Sequence, residues 1–321
     1  IAEEDMLITI THSGYVKRLG VHAYRRQGRG GKGVIGMETR EEDFVEHLFI
    51  ASTHDFILFF TNKGKCHWLK VHEIPQAGRS AKGKPIINLL ELQEGEKIRA
   101  YAPVKKFDQG NYIVMATKNG LVKKSSLSAF SNPRRGGIIA IGIEEKDELI
   151  EASLTDGSCD IVLATTEGQA VRFPENKVRG MGRQAYGVKG ITLEKGDFVI
   201  GMVVIKRDST LLSVAENGYG KRSPISDYRV TNRGGKGVIN IKTTERNGKV
   251  VAIKEVLDED ELMLITQRGM IIRQPVKTIK AIGRNTQGVR LINLESGDKV
   301  VDVARVVKSE EEKVEEPEVA E

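Results

Sequence analysis

Six glycines punctuate the chain at nearly equal intervals, and this repeat constrains the fold more than any other feature. Gly14, Gly64, Gly120, Gly168, Gly218 and Gly269 are separated by 50, 56, 48, 50 and 51 residues. Each closes a polar turn after a short apolar run, at 6–10, 56–60, 112–116, 161–164, 211–214 and 262–265. Turns such as Lys118-Asn119-Gly120 and Glu216-Asn217-Gly218 suit a tight hairpin, because asparagine and glycine both accept the positive φ it demands. A second glycine follows nineteen residues later as Gly33, Gly83, Gly187, Gly237 and Gly288, and seventeen residues later as Gly137. Four positions beyond it stands an apolar residue: Met37, Ile87, Ile141, Ile191, Ile241 or Ile292. A further turn, marked by Gly95, Gly196, Gly248 or Gly297, leads to another apolar run of the kind at 199–205 and 300–307.

Each unit therefore reads as four short strands with the turns of a β-meander. No long stretch carries a 3.6-residue period with caps, so the expected class is all-β. Four-stranded repeats of about 50 residues fit a propeller-like ring, which protects sheet edges by radial closure. Two side-by-side sandwiches are the alternative, but no linker interrupts residues 1–308, and one ring explains that. The expected organisation is a single six-bladed domain over 1–308. Its blades fall at 1–54, 55–110, 111–158, 159–208, 209–260 and 261–308, and a tail follows at 309–321.

Charge is distributed unevenly. The 321 residues hold 50 Lys and Arg against 44 Asp and Glu. The tail takes seven of the glutamates and one of the lysines, leaving 49 basic and 37 acidic residues in 1–308, a net +12. A basic body points to a polyanionic partner. The tail has almost nothing to bury and is expected to be disordered, either as a solubilising end or as a polyanion mimic competing for the body.

The cations follow the repeat. Four residues after the first glycine come Arg18, Trp68, Lys124, Arg172, Arg222 and Arg273, and lysine precedes three of them as Lys17, Lys123 and Lys221. Equivalence predicts that they project from one rim of the ring. The loops between the two glycine landmarks are basic as well. They carry Arg25, Arg26, Arg29 and Lys32; Arg79 and Lys82; Arg134 and Arg135; Arg179 and Arg183; Arg229, Arg233 and Lys236; then Lys280 and Arg284. Only Glu73, Glu175 and Asp227 oppose them. A merely solvated edge would mix the signs, so a cationic track is expected, and stiff, regularly charged duplex DNA is its natural partner. With 5% aromatic residues and none recurring with the repeat, single-strand stacking is disfavoured.

Other chemistries lack their signatures. No Gly-Lys pair is followed by Ser or Thr, so there is no Walker loop, and neither a Gly-x-Ser-x-Gly elbow nor a His-Glu-x-x-His motif occurs. Cys66 and Cys159 lie far apart, as reduced structural thiols would. The six histidines, all within the first 72 residues, are expected near the surface rather than on a metal. No run of 18 apolar residues exists, which excludes a helical membrane span. The sequence opens on Ile1 without a basic-then-apolar leader, which suggests a non-secreted piece of a longer polypeptide.

One loop concentrates glycine and charge: Gln27, Gly28, Arg29, Gly30, Gly31, Lys32 and Gly33, with Arg25 and Arg26 just upstream. Glycine lets a backbone turn sharply or approach a partner closely. The loop resembles the gyrase A box, Gln-(Arg/Lys)-Arg-Gly-Gly-(Arg/Lys)-Gly, and departs from it only at Gly28, where a cation is usual. Weaker echoes lie at 232–237 and 133–137. Over essentially its whole length the chain resembles the C-terminal domain of the DNA gyrase A protein. That resemblance implies a six-bladed β-pinwheel that wraps duplex DNA on its rim and presents a segment for strand passage during negative supercoiling. It also implies a bacterial, cytoplasmic, nucleoid-associated protein with no catalysis or cofactor in this region. The cleavage tyrosine belongs to the preceding N-terminal domain, and ATP and Mg are used with the gyrase B subunit of an A2B2 holoenzyme. The counterpart in topoisomerase IV, or a basic propeller scaffold for RNA or protein, is the alternative. The tail would modulate wrapping.

Overall fold

The computed structural model describes residues 1–20, 43–78 and 80–306. In the first unit β1 (Asp5–Thr11) pairs with β2 (Tyr15–Gly20) on one side and β3 (Val45–Ser52) on the other. The second unit supplies β4 (Phe56–Thr61), β5 (Lys65–Lys70), the two-residue β6 (Lys84–Pro85) and β7 (Ile98–Val104). The third supplies β8 (Tyr112–Thr117), β9 (Leu121–Ser126), β10 (Ile138–Ile139) and β11 (Leu149–Thr155). In the fourth come β12 (Asp160–Thr165), β13 (Gln169–Pro174), β14 (Val188–Lys189) and β15 (Val199–Ile205). The fifth holds β16 (Thr210–Ala215), β17 (Tyr219–Pro224), β18 (Val238–Ile239) and β19 (Val250–Val256). The sixth ends the series with β20 (Glu261–Thr266), β21 (Ile271–Pro275), β22 (Val289–Arg290) and β23 (Val300–Val306).

These strands form six small antiparallel sheets arranged as the blades of a ring, as expected. Sequence units and sheets are nevertheless offset. The short strand β6 pairs with β2 of the preceding unit (Tyr15↔Pro85, Val16↔Lys84). In the same way β10 joins β5, β14 joins β9, β18 joins β13 and β22 joins β17. The contiguous blades read from the repeat thus hold for three strands of each sheet, and the outermost fourth, where described, comes from the following unit. Among the described residues the last sheet, β21-β20-β23, has three strands.

The crossing happens at a feature the repeat did not announce. Turns of 3-10 helix at Val71–Glu73, Leu127–Phe130, Glu175–Lys177, Ile225–Asp227 and Val276–Thr278 follow the second strand of their units. Pro174, Pro224 and Pro275 end three of those strands, since proline has no N–H with which to extend a ladder. Among the described residues there is no α-helix.

The central strands of the second to fifth blades are apolar on both faces because both are buried, whereas β20 of the last blade alternates buried and part-exposed residues. Ile57 and Phe59 of β4 pack on Met6 and Ile8 of the first blade, while Leu58 and Phe60 pack on Ile113 and Met115 of the third. The alternation repeats at the junctions between consecutive units: Val114 and Ala116 meet Ile161 and Leu163, Val162 and Ala164 meet Leu211, and Leu212 and Val214 meet Leu262 and Leu264. Burying each such Leu, Ile or Phe contributes about 1.5–3 kcal/mol. The core is therefore a chain of inter-blade layers rather than one central mass.

The ring closes. Tyr101 of β7 meets His47 and Phe49 of β3, with centroids 4.4 and 6.0 Å apart. At the other side of the first blade, His12 Nε2 lies 3.3 Å from Asp302 Oδ2 of β23. Inside the ring is a cavity of about 540 Å³ lined by residues from all six units, among them His12, Arg99, Glu151, Phe198, Lys254 and Asp302.

The second glycine landmark marks where one unit lies directly on another. Gly237 has φ +79°, and a Cβ there would sit 2.2 Å from the Ala170 carbonyl oxygen of β13. Gly14 has a similar φ of +89° but nothing within 4 Å of its Cβ position. Gly14→Ala should therefore cost the left-handed strain alone, about 1–2 kcal/mol. Gly237→Ala adds the overlap with a main-chain carbonyl and should cost about 3–5 kcal/mol. Urea unfolding of the two variants checks this; equal losses would show that close approach at Gly237 carries no energy.

Candidate nucleic-acid interface

The recurrent cations four residues after the turn glycine do not project from the rim. They reach across the blade junction to main-chain carbonyls of the next unit's 3-10 turn. Arg18 Nε donates to Ile74 O at 2.6 Å, and Lys124 Nζ donates to Glu175 O at 3.2 Å. Arg172 Nη1 donates to Ile225 O at 2.9 Å, and Arg222 Nε donates to Ile279 O at 2.5 Å. Trp68 occupies the same place and does the same work, its indole Nε1 donating to Phe130 O at 2.7 Å. An indole is uncharged and only donates. The property shared by the column is thus an N–H at the end of a long side chain, not a positive charge. In the last unit Arg273 is exposed and pairs with Glu261 of its own sheet.

The preceding lysines are buried as well. Lys17 Nζ donates to Gly78 O at 3.2 Å and to Ala81 O at 2.8 Å. Lys123 donates to Ala140 O at 2.6 Å and to Arg183 O; Lys221 donates to Gly283 O at 2.9 Å and to Arg284 O. Burial without a carboxylate partner pulls the Lys123 and Lys221 ammoniums down to about 7, with a smaller push from Arg183 and Arg284 respectively. The reading of Lys17, Arg18, Lys123, Lys124, Arg172, Lys221 and Arg222 as rim contacts is corrected: they are spent on the junctions. The physical reason is that the second strand of each blade is covered by the next unit, so its side chains have carbonyls to satisfy rather than solvent to face.

The loops between 3-10 turn and short strand behave differently. Lys82, Arg134, Arg135, Arg179, Arg229, Lys236 and Lys280 are all exposed, Arg135 and Lys236 with 90% and 75% of their side-chain surface open. Lys84, Lys177, Lys189, Lys277 and Arg290, which the sequence reading passed over, are exposed beside them. Glu175, one of the three acids that opposed the track, is fully buried, accepting from Thr155 Oγ1 at 2.7 Å and from the Cys159 N–H at 2.8 Å. Lys236 lies near Glu194 at 3.4 Å, and Arg135 near Glu91 at 2.5 Å, both solvent-exposed pairs of little energetic weight.

A second regularity emerges only with the fold in hand. An arginine stands fifteen residues after each turn glycine: Arg29, Arg79, Arg135, Arg183, Arg233 and Arg284. Arg183 Nη1 donates to Ile139 O at 2.9 Å, Arg233 Nη1 to Lys189 O at 3.0 Å, and Arg284 Nη1 to Ile239 O at 2.6 Å. The Nε groups of Arg233 and Arg284 donate to Lys177 O at 3.0 Å and Asp227 O at 2.8 Å. These guanidiniums are half-buried and pinned to the preceding unit's outermost strand, at the perimeter of the ring. A pinned fork retains further N–H donors and loses little side-chain entropy on meeting an anion.

Gln27, Gly28, Arg29, Gly30, Gly31, Lys32 and Gly33 lie outside the described residues, as do Arg25, Arg26, Arg79 and the tail at 309–321. Of the histidines, His67 departs from the expected surface position. It is 3% exposed, with Nε2 at 2.8 Å from Glu96 Oε1, which also accepts from Thr61 Oγ1 at 2.8 Å. Cys66 and Cys159 are buried free thiols. Asp156, Cys159 and Glu175 gather closely, but Ser158, Thr155 and the Cys159 N–H already occupy their oxygens.

The described residues also contain no helix long and apolar enough to cross a membrane. The family described as DNA gyrase C-terminal domain, β-propeller, matches the chain six times, at 5–52, 55–105, 111–156, 160–206, 209–256 and 260–306. These spans follow the six observed units one for one. The chain belongs to the DNA gyrase C-terminal domain family. It is 49% identical to the DNA gyrase A protein of Staphylococcus aureus (strain NCTC 8325 / PS 47) over 321 residues, which is 99% of this chain and 36% of that protein. It is 44% identical to the DNA gyrase A protein of Haemophilus influenzae over 340 residues, 97% of this chain and 39% of that protein. The chain thus spans little more than a third of these relatives. A solved C-terminal domain of DNA topoisomerase IV superposes with a TM-score of 0.84 at 27% identity, over 95% of this chain and 94% of that one. A solved DNA gyrase A C-terminal domain gives 0.70 at 26% identity, over 95% and 100%. In this gyrase C-terminal domain, the column that sequence reading placed on the rim is a structural one, and the loop column is the candidate interface.

The distinction is measurable. Trp68→Phe removes the N–H that satisfies Phe130 O together with part of the ring packed on the core, and should lower unfolding free energy by about 1–3 kcal/mol. Lys123→Met strands buried carbonyls and should cost about 1–3 kcal/mol. Neither should change the salt dependence of DNA binding, whereas Arg179→Ala should leave stability within about 0.5 kcal/mol and reduce that slope by about 0.9. Denaturation curves alongside binding titrations at several salt concentrations separate the two columns.

Proposed function

We propose that this domain binds duplex DNA along the perimeter of its ring, bends it, and presents a segment for strand passage within DNA gyrase. The observation that carries the reading is the succession of exposed or pinned cations on five consecutive junction loops, from Lys82 and Lys84 to Lys280, Arg284 and Arg290. Phosphate contacts of this kind position a duplex without reading its sequence. About ten such contacts would give a log–log salt slope near −9. Bending a short site by 40–90° costs on the order of 1–6 kcal/mol, and contacts spread around a curved edge offset that where a single patch could not.

The same reading assigns the domain no chemistry of its own. Cleavage belongs to the N-terminal domain of the same polypeptide, and ATP and Mg serve the gyrase B subunit of an A2B2 holoenzyme. The protein would act on the nucleoid in the bacterial cytoplasm. The box at 27–33 would anchor one end of the wrap, and the tail at 309–321 would compete with DNA for the body. The topoisomerase IV counterpart is a second reading, favoured by the 0.84 superposition. The higher sequence identity to the gyrase A proteins, together with the near-complete box, supports the gyrase reading.

Relaxed circular DNA mixed with the domain and then ligated should show a linking-number change that grows with protein and vanishes at high salt. An unchanged linking number at saturating protein would overturn wrapping. Binding without any topological change would instead match a flat basic surface. Arg183→Ala/Arg233→Ala/Arg284→Ala should abolish most of the change, because it removes the pinned fork at three consecutive junctions.

A further inference from the structure

The seam between the first and last blades holds a titratable group placed where two carboxylates converge. His12 follows β1, and its ring stacks on Phe44 at a centroid distance of 5.1 Å and an interplanar angle of 8°. Nδ1 lies 3.3 Å from Glu46 Oε2 of β3, and Nε2 lies 3.3 Å from Asp302 Oδ2 of β23. A neutral imidazole carries one N–H and can donate to only one of these oxygens; the other nitrogen would then aim a lone pair at a carboxylate. Only the imidazolium donates to both. Elsewhere around the ring the junctions are crossed by arginine and tryptophan N–H donors, Arg18, Trp68, Arg172 and Arg222, rather than by histidine.

We propose that His12 is a pH-sensitive latch and the positioning residue of ring closure, holding the first blade to the last when protonated and releasing the seam when neutral. Its consequence for DNA, a pH-dependent path at the point where the wrap meets itself, rests on the wrapping function proposed above; the latch does not.

The neighbouring groups support this assignment from each packed element. The hydrogen bond to Glu46 raises the His12 pKa above 6.5, burial opposes it, and the charges of Glu46, Asp302 and Asp43 add to the rise. Burial works against the Glu46 carboxylate, yet its bond to His12 and the charges of His12 and Lys254 hold its pKa below the ordinary value. His47, 3.8 Å from the same carboxylate, is pushed down to about 4 by burial and stays neutral, so it does not compete for the role. Lys254 of β19 and Arg305 of β23 also act on His47, and Glu151 of β11, raised to about 7 by burial, stands farther round the cavity wall. The sign follows from the elevation. A group whose folded value lies above its unfolded one contributes fully below the unfolded value and loses that contribution as pH rises through the folded value. The seam is therefore tight below about pH 6.5 and loosens as pH rises through the elevated His12 value.

Nitroxides on the hairpin tips of the first and last blades, Ser13→Cys with Arg268→Cys, report the seam by pulsed dipolar spectroscopy. The pair Asn119→Cys with Glu167→Cys reports an ordinary junction. Between about pH 6 and about pH 9 the seam pair should lose its narrow distance distribution while the control pair keeps its own. His12→Arg, a permanent cation, should stay narrow throughout, and His12→Gln should be broad throughout. Nitrogen-detected NMR should place the His12 titration above 6.5, with a downward shift in Asp302→Asn. A seam distribution indifferent to pH, an equal pH response in His12→Arg, or a His12 titration at or below 6.5 would overturn the latch. Linking-number change measured on the wild-type chain over the same pH range should fall as the seam opens. If the seam opens while no linking-number change occurs at any pH, the latch stands and the wrapping function fails.

Discussion

An N–H at the end of a long side chain, reaching across a blade junction to a main-chain carbonyl, is the interaction on which the architecture depends. The second to sixth units each pass their outermost strand to the preceding blade, so the 3-10 turn that launches the crossing must be held against that blade's second strand. The carbonyls of such a turn have few partners within it and cannot be left unsatisfied once covered. Arg18, Trp68, Lys124, Arg172 and Arg222 supply those partners at five successive junctions. Lys17, Lys123 and Lys221 add a second donor set one residue earlier at three of them. Apolar layers between neighbouring central strands supply most of the stabilisation, and the donors fix the offset at which the layers meet.

This constraint divides the basic residues into two populations with different work. The recurrent second-strand cations of the first, third, fourth and fifth units are consumed internally, and burial pulls two of their ammoniums down to about 7, whereas Arg273 of the last unit stays exposed. Those on the loops beyond the 3-10 turns remain at the perimeter, the outermost edge of each sheet. Arg183, Arg233 and Arg284 bridge the populations, since each is anchored to the neighbour's carbonyls yet sits in the exposed loop. A cationic edge assembled from pinned groups keeps its spacing fixed by the fold. Regular spacing is what a polymer with regularly placed phosphates would exploit.

Ring closure is a separate matter from blade formation. Five junctions repeat one design, but the seam joins units that are remote in sequence. His12 there contacts Glu46 of its own blade and Asp302 of the last. The central cavity gathers polar and charged side chains from every unit, so the inner strands border an open space rather than a packed centre. Such a ring can respond at its seam without melting its layers.

Much of this molecule was legible in the sequence. The glycine spacing gave six units, and the continuous apolar runs at 56–60 or 112–116 marked central strands because burial on both faces removes the polar alternation. The turn glycines kept their positions because their φ values require them. The basic loops were also found, since few acidic residues share those loops in sequence. Strand exchange was hidden, because a two-residue strand after a glycine reads the same whichever neighbour it joins. The fate of the second-strand cations was hidden for a related reason: lysine and arginine serve solvent, phosphate or a carbonyl equally well, and only the covering unit decides which. Trp68 in a basic column was the one available hint, an uncharged donor where charge alone would not have been replaceable. Sequence by itself determined the units, their strands and the charge they carry, through local periodicity and turn chemistry. The tertiary structure decided which cations face outward and what closes the ring, because both depend on contacts between residues about fifty or nearly three hundred positions apart.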